Sequence, residues 1–370
     1  MSTMRATQAT NRLRRDFIGS LTAITASYHS MISTRQMLAA VGVKPGRFGV
    51  CSFSCHRAWQ AVRDKSAAAP FTDSSSFYDY ARHIGADGVQ TNLRMADESA
   101  AVRLREHVES TGGYCEGDIR LPTKESELES FEQEVKLTLA SGAKVARTVL
   151  SGSRRYETWK SLDEFNTFRA LASKRLAWVE PIVGKHRLKL AVENHKDLTS
   201  QELAKLMREF SSEWIGVNVD TGNNIALLED PLEVVETLAP FAMSVHLKDM
   251  AVQSHERGFL LSEVTCGQGF LDLRRMVAVL SKANSDLRFS LEMATRDPLL
   301  VPCLADGFFV TFPERRGTHL EDAIQRVKTN PLKQPPPSIA NKPMPKQLAD
   351  EEENNRGSLT WLHQRFSDMG

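Results

Sequence analysis

LAVENH (residues 190–195), IGVNVDTGN (215–223), MSVHLKD (243–249) and FSLEM (289–293) decide the fold. Each is an apolar, β-branched run that gives way to a side chain able to bind a metal: Glu193, Asp220, His246 and Glu292 in turn. A long amphipathic stretch follows each one. A strand that ends in a carboxylate or imidazole and then turns into a helix, repeated, describes the mouth of a (β/α)8 barrel, where residues from the C-terminal ends of different strands converge on one pocket. Three carboxylates and one imidazole suit Mn²⁺, Co²⁺ or Mg²⁺ better than a structural thiolate zinc site, and a single divalent ion (Mn, Co, Mg or Zn) is the expected cofactor.

Side chains two apart on a strand share a face. That places Ala191, Glu193 and His195 on one side and Val192 on the other. Asn218 and Asp220 pair against Val217 and Val219; Ser244, His246 and Lys248 oppose Val245 and Leu247; Ser290 and Glu292 oppose Leu291. One such strand means little, since a lone strand-end Glu is usually a helix cap or a solvated loop residue, and a lone inward His a satisfied core residue. Four in succession differ, because burying two Glu and an Asp together without a cation is costly.

Outward from these segments, strand and helix patterns alternate regularly. Four more strand-like runs lie upstream: RFGVCSFS (47–54), DGVQTNL (87–93), GGYCEGDIRL (112–121) and KVARTVLS (144–151). The fold class is therefore α/β, a (β/α)8 barrel over residues 45–330, its eighth helix near THLEDAIQRVK. A Pro-rich linker and C-terminal helix form an extension over 331–370. The rival, a doubly wound open sheet, would carry a glycine-rich first turn, and no GxGxxG follows strand one. Thr199 and Asp230-Pro231 mark helix starts, and Gly142 and Gly184 are expected at left-handed helix ends. The loop 294–317 is long enough to be a lid or to pack on a neighbouring element.

Composition narrows the function. A net charge of +1, from 47 basic and 46 acidic residues, leaves no nucleic-acid footprint. No apolar run is long enough to span a membrane. The five cysteines lack paired CxxC spacing and read as small buried or loop thiols. Near the start, Arg14-Arg15-Asp16-Phe17-Ile18 resembles a twin-arginine export signal, yet the SLTAITAS that follows is only weakly apolar. Cytoplasmic residence and export both stay open, and residues 1–44 are set apart as a leader.

AVENH, VNVDTGN, SVHLKD, the CGQG turn and LEM together resemble the xylose-isomerase-like TIM-barrel superfamily of sugar phosphate isomerases and epimerases. The likeness is strongest over residues 188–300. It implies that Glu193, Asp220, His246 and Glu292 bind one divalent metal. Epimerases of that group usually carry a substrate-contacting His three residues after the Asp; Asn223 stands here, and it can hydrogen-bond a sugar oxygen but cannot shuttle a proton. His195 and Lys248 are candidates for that missing part. Lys248 either stabilises an alkoxide or pairs with Asp249 or Asp220, and Arg296 either holds a distal substrate group or makes a rim salt bridge.

The resemblance implies a small carbohydrate substrate, with Glu193 and Glu292 exchanging a proton through an enediolate: an isomerase or epimerase. The same site halted at elimination gives a lyase or dehydratase on a keto-sugar or keto-inositol. A non-catalytic sugar-binding barrel, or a homo-oligomer, is also compatible with the sequence. Phe53, Trp59, Phe308 and Phe309 are candidate walls for a sugar face, or else core residues.

Overall fold

The computed structural model describes residues 46–366, apart from 95 and 333. The expected leader therefore lies outside the described residues. Strands β1 (Phe48–Cys51), β2 (Gly88–Thr91), β3 (Tyr114–Asp118), β4 (Val145–Thr148), β5 (Lys189–Glu193), β6 (Ile215–Asp220) and β7 (Ala242–Leu247) follow one another in the barrel. A hairpin, β8 (Asp249–His255) and β9 (Gly258–Val264), interrupts the sequence before β10 (Phe289–Leu291) closes it, and β11 (Leu299–Val301) follows. The closed barrel runs β1-β10-β7-β6-β5-β4-β3-β2 with every pairing parallel, so this is a (β/α)8 barrel.

The first helices are α1 (His56–Arg63), α2 (Ser74–His83), α3 (Glu98–Ser110) and α4 (Leu128–Ala140). Then come α5 (Arg155–Thr158), α6 (Leu162–His186), α7 (Ser200–Phe210), α8 (Pro231–Leu238) and α9 (Leu273–Ala283). The last two are α10 (Thr318–Thr329) and α11 (Met344–Phe366). Val192, Val217, Val219, Val245, Leu247 and Leu291 bury themselves against the helix layer, as the alternation required. Thr199 caps α7 in a reciprocal box with Glu202, and Asp230 caps α8 ahead of Pro231. Gly142 adopts φ +81 at the end of α4. Gly184 does not end its helix: α6 runs on to His186, and Arg187 takes the left-handed position at φ 57. Gly184 instead makes room for the Trp214 ring, which a Cβ there would meet at 3.1 Å. At the barrel floor Tyr114 lies across Gly49 and Gly88, where any Cβ would fall within 2.5 Å of its atoms.

Two features differ from expectation. The hairpin β8–β9 forms where no strand was expected, and β11 adds to it antiparallel, making a small second sheet. Loop 294–317 thus packs on a neighbour, with Phe308, Phe309 and Phe312 buried in a separate apolar cluster beside Tyr156. Phe308 and Phe309 are core residues, Trp59 packs on Phe71 and Phe77, and only Phe53 stays largely exposed.

Helix α10 does not take the eighth barrel position either. Its Ala323 and Val327 sit on the second cluster with the hairpin's Val252 and Leu261. The place beside β1 falls to α11, whose Leu359, Leu362 and Phe366 join the main core. The Phe366 ring meets Phe48 at 5.3 Å. Glu351 accepts the Arg57 and Ala58 backbone N–H groups at 2.8 and 2.9 Å, capping α1 from a remote part of the chain. The five cysteines are all buried and free. Among the described residues no helix is long and apolar enough to cross a membrane.

Candidate active site

Register does the first part of the assembly. Asp220 on β6 stands beside His246 on β7, which stands beside Ser290 on β10, so Glu292 projects one inward step further on. Glu193 ends β5 opposite Asn218. All four metal-type residues are buried, and one ligand atom of each lies within 4.8 Å of the others. His246 Nδ1 faces Glu193 Oε2 at 3.5 Å, Glu292 Oε1 at 3.6 Å and Asp220 Oδ2 at 4.0 Å, and has no hydrogen-bond partner. Donors about 2.1 Å from a common ion stand at most ~4.2 Å apart, so small shifts would close this quartet on one divalent cation. The residues fit a metal.

The outer contacts orient each donor. His246 Nε2 lies 2.6 Å from Gln90 Oε1, an acceptor, which puts a hydrogen on Nε2 and aims Nδ1 at the cluster. Gln90 Nε2 in turn donates to Glu116 Oε2 at 3.1 Å, and Ser244 Oγ donates to the same oxygen at 2.6 Å. Asp220 Oδ1 accepts the Gly222 and Asn223 backbone N–H groups at 2.8 and 2.7 Å, leaving Oδ2 for the site. Glu193 is held on both oxygens: Arg147 Nε donates to Oε2 at 2.6 Å and Asn223 Nδ2 to Oε1 at 2.8 Å. Arg147 also pairs with Asp118 at 3.0 Å.

Charge is finely set among these groups. Burial alone would raise Glu193, but the Arg147 guanidinium and then His246 outweigh it and hold the carboxyl below its usual range. Glu292 is likewise driven well down, burial being overcome by Lys248 and His246. Asp220 is pushed up to about 6, by burial first, against the pull of Lys248. The Lys248 ammonium contacts Asp220 Oδ2 at 2.9 Å and also Glu292 Oε2, and these carboxylates keep it charged despite burial.

The other expected residues are scattered around this core. Asn223 reaches Glu193 and accepts from both Lys196 and Lys248, so it belongs to the cluster. Lys248 pairs with Asp220; Asp249 instead accepts backbone N–H groups of Gly267 and Gly269, at 2.8 and 2.9 Å, and pins the CGQG turn. His195 is held neutral, pushed down to about 3 by burial and then Lys196, and its Nδ1 has no partner. Arg296 forks onto Glu263 of β9, the rim salt bridge of the two alternatives.

Gln90, Glu116, Arg147, Lys196 and Glu263 were not anticipated. The first three sit on inward positions of β2, β3 and β4, where the alternation used for the later strands would have found them. Glu263 was hidden because the hairpin that carries it was not read as strands.

Fold and site together define a barrel enzyme scaffold whose strand ends gather a buried Glu/Asp/His/Glu centre able to hold one metal ion. The chain belongs to the xylose isomerase-like TIM barrel family, whose model matches residues 78–324. It is 26% identical over 163 residues to the uncharacterized protein YihM of Escherichia coli K12, covering 44% of this chain and 47% of that one. It is 30% identical over 99 residues to 3-oxo-isoapionate decarboxylase of Pectobacterium atrosepticum, 26% of this chain and 36% of that one. Both matches thus span less than half of the relative's length. Among solved structures, D-psicose 3-epimerase in the presence of D-fructose superposes with a TM-score of 0.56 at 10% identity, covering 86% of this chain and 98% of that one. At that identity the likeness is one of fold.

Proposed function

We propose that this protein is a divalent-metal-dependent sugar isomerase or epimerase acting through an enediolate. The observation that carries the reading is the unpartnered His246 Nδ1 facing three buried carboxylates. A bound divalent ion supplies Lewis-acid polarisation of a ketose carbonyl. Glu193 ends β5 and Glu292 follows β10, with β6 and β7 between them, so that the two would flank one bound sugar. One takes the proton from the carbon next to the carbonyl and the other returns it. The Lys248 ammonium stabilises the oxygen on which charge develops, while the Asn223 amide stays on Glu193 and holds it in place. Burial of the whole quartet excludes bulk water and strengthens each of these interactions.

A second reading, a lyase, draws support from Glu193. With Arg147 on one oxygen and Asn223 on the other, Glu193 is poorly placed to relay a proton, whereas elimination needs one base and Glu292 would suffice. The similarity to a decarboxylase points the same way. The test is proton NMR of Mn²⁺-loaded protein with a panel of ketoses in D₂O. Deuterium at a retained stereocentre supports epimerisation, and loss of water or CO₂ supports the lyase. Turnover that survives Glu193→Gln and Glu292→Gln together would defeat both.

A further inference from the structure

One cation of the site has no counter-ion. Arg147 pairs with Glu193 and Asp118, Lys248 with Asp220 and Glu292, and Arg296 with Glu263. Lys196 is only 5% exposed, and its ammonium touches one polar group, the Asn223 carbonyl oxygen. Among the described residues no carboxylate lies within ion-pairing distance of it. Burial first, then the Lys248 and Arg296 charges, push it down to about 8, and Glu263 and Asp220 offset this only in part. A buried ammonium left in this state is costly unless something that binds there brings the missing charge.

The local geometry says where that charge would sit. Lys196 Nζ and Lys248 Nζ both reach Asn223 Oδ1, the latter at 3.4 Å, so two ammonium groups border one spot beside the metal quartet. With Arg147, Lys248 and Arg296 each paired to a carboxylate, the positive charge left uncompensated beside the quartet is that of Lys196. A neutral hydroxyl cannot cancel it, and a phosphate would carry a second charge with both guanidinium forks already engaged on carboxylates. A monoanionic carboxylate matches.

Resting on the keto-sugar reading above, we propose that Lys196 holds the carboxylate of the substrate, and that the substrate class is a keto-sugar acid, neither a neutral nor a phosphorylated ketose. Lys196 is then the residue that selects for the acid, and the metal quartet handles the ketone end.

The experiment is calorimetric titration of full-length, Mn²⁺-loaded protein with aldonates of four to six carbons and with the alditols that match them. Wild type should bind at least one aldonate about 30-fold more tightly than its alditol, the scale of one charge-assisted contact. Lys196→Met should erase that preference, and Lys196→Arg should keep part of it. Neither variant should change Mn²⁺ affinity, which shows the fold and metal centre intact. Equal binding of acid and alditol by wild type, or a preference that survives Lys196→Met, overturns this proposal and leaves the sugar reading standing. If no aldonate and no alditol binds, the sugar reading falls and takes this proposal with it.

Discussion

Gln90 contributes no donor atom to the Glu193/Asp220/His246/Glu292 cluster, yet replacing it should weaken divalent-cation binding there. In Gln90→Met the side chain keeps its length and loses the oxygen that His246 Nε2 meets at 2.6 Å. The imidazole is then free to turn and to exchange tautomers, so part of the population presents an N–H to the cluster where a lone pair is needed. Partners of this outer kind are commonly worth 10–100-fold in metal affinity, or about 1.4–2.7 kcal/mol. The same substitution removes the Gln90 donor from Glu116, leaving Ser244 to serve that oxygen, so stability should also fall by about 1–3 kcal/mol. Mn²⁺ affinity would be read by competition with a chromogenic chelator, and folding by thermal melting without metal. A well-folded Gln90→Met protein with wild-type Mn²⁺ affinity would refute the argument that this hydrogen bond aims His246.

Arg147→Met should cost about 3 kcal/mol in metal-free protein, because it strands the buried Glu193 carboxylate. Saturating Mn²⁺ should restore much of that loss, and calorimetric melts with and without the ion would show it. Aldonate binding should weaken as pH rises through about 8, as Lys196, depressed to about 8 in the free protein, gives up the proton that pairs with a carboxylate. An affinity unchanged up to pH 10 contradicts that expectation. Leu362→Ala should destabilise by about 2–5 kcal/mol in denaturant unfolding, since that side chain is fully buried under α11. Glu351→Ala should cost about 1–2 kcal/mol by uncapping α1, with Mn²⁺ binding retained.

The buried Glu/Asp/His/Glu cluster was legible because the signal repeats: apolar side chains outward and polar ones inward, on four consecutive barrel strands. Gln90, Glu116 and Arg147 stand at inward positions of the earlier strands, as the same alternation places them, but only the closed barrel shows what they meet: Gln90 at His246, Glu116 at Gln90 and Arg147 at Glu193. Lys196 could not be read at all, since its lack of a partner is a property of space and not of order along the chain. The hairpin escaped for another reason. DMAVQSH and GFLLSEV alternate only loosely, and the turn between them, Glu256-Arg257, resembles ordinary loop chemistry. The eighth helix was misplaced because amphipathic pattern identifies a buried face without naming what buries it; Ala323 and Val327 match the hairpin as well as they would match a barrel wall.

The cap that Glu351 places on α1 joins residues 294 positions apart. During synthesis on the ribosome, then, the first strand and its helix emerge long before the segment that covers them, and the nascent barrel must wait with Phe48 unshielded. Locking of β1 and α1 under α11 therefore comes after every strand of the barrel has been synthesised.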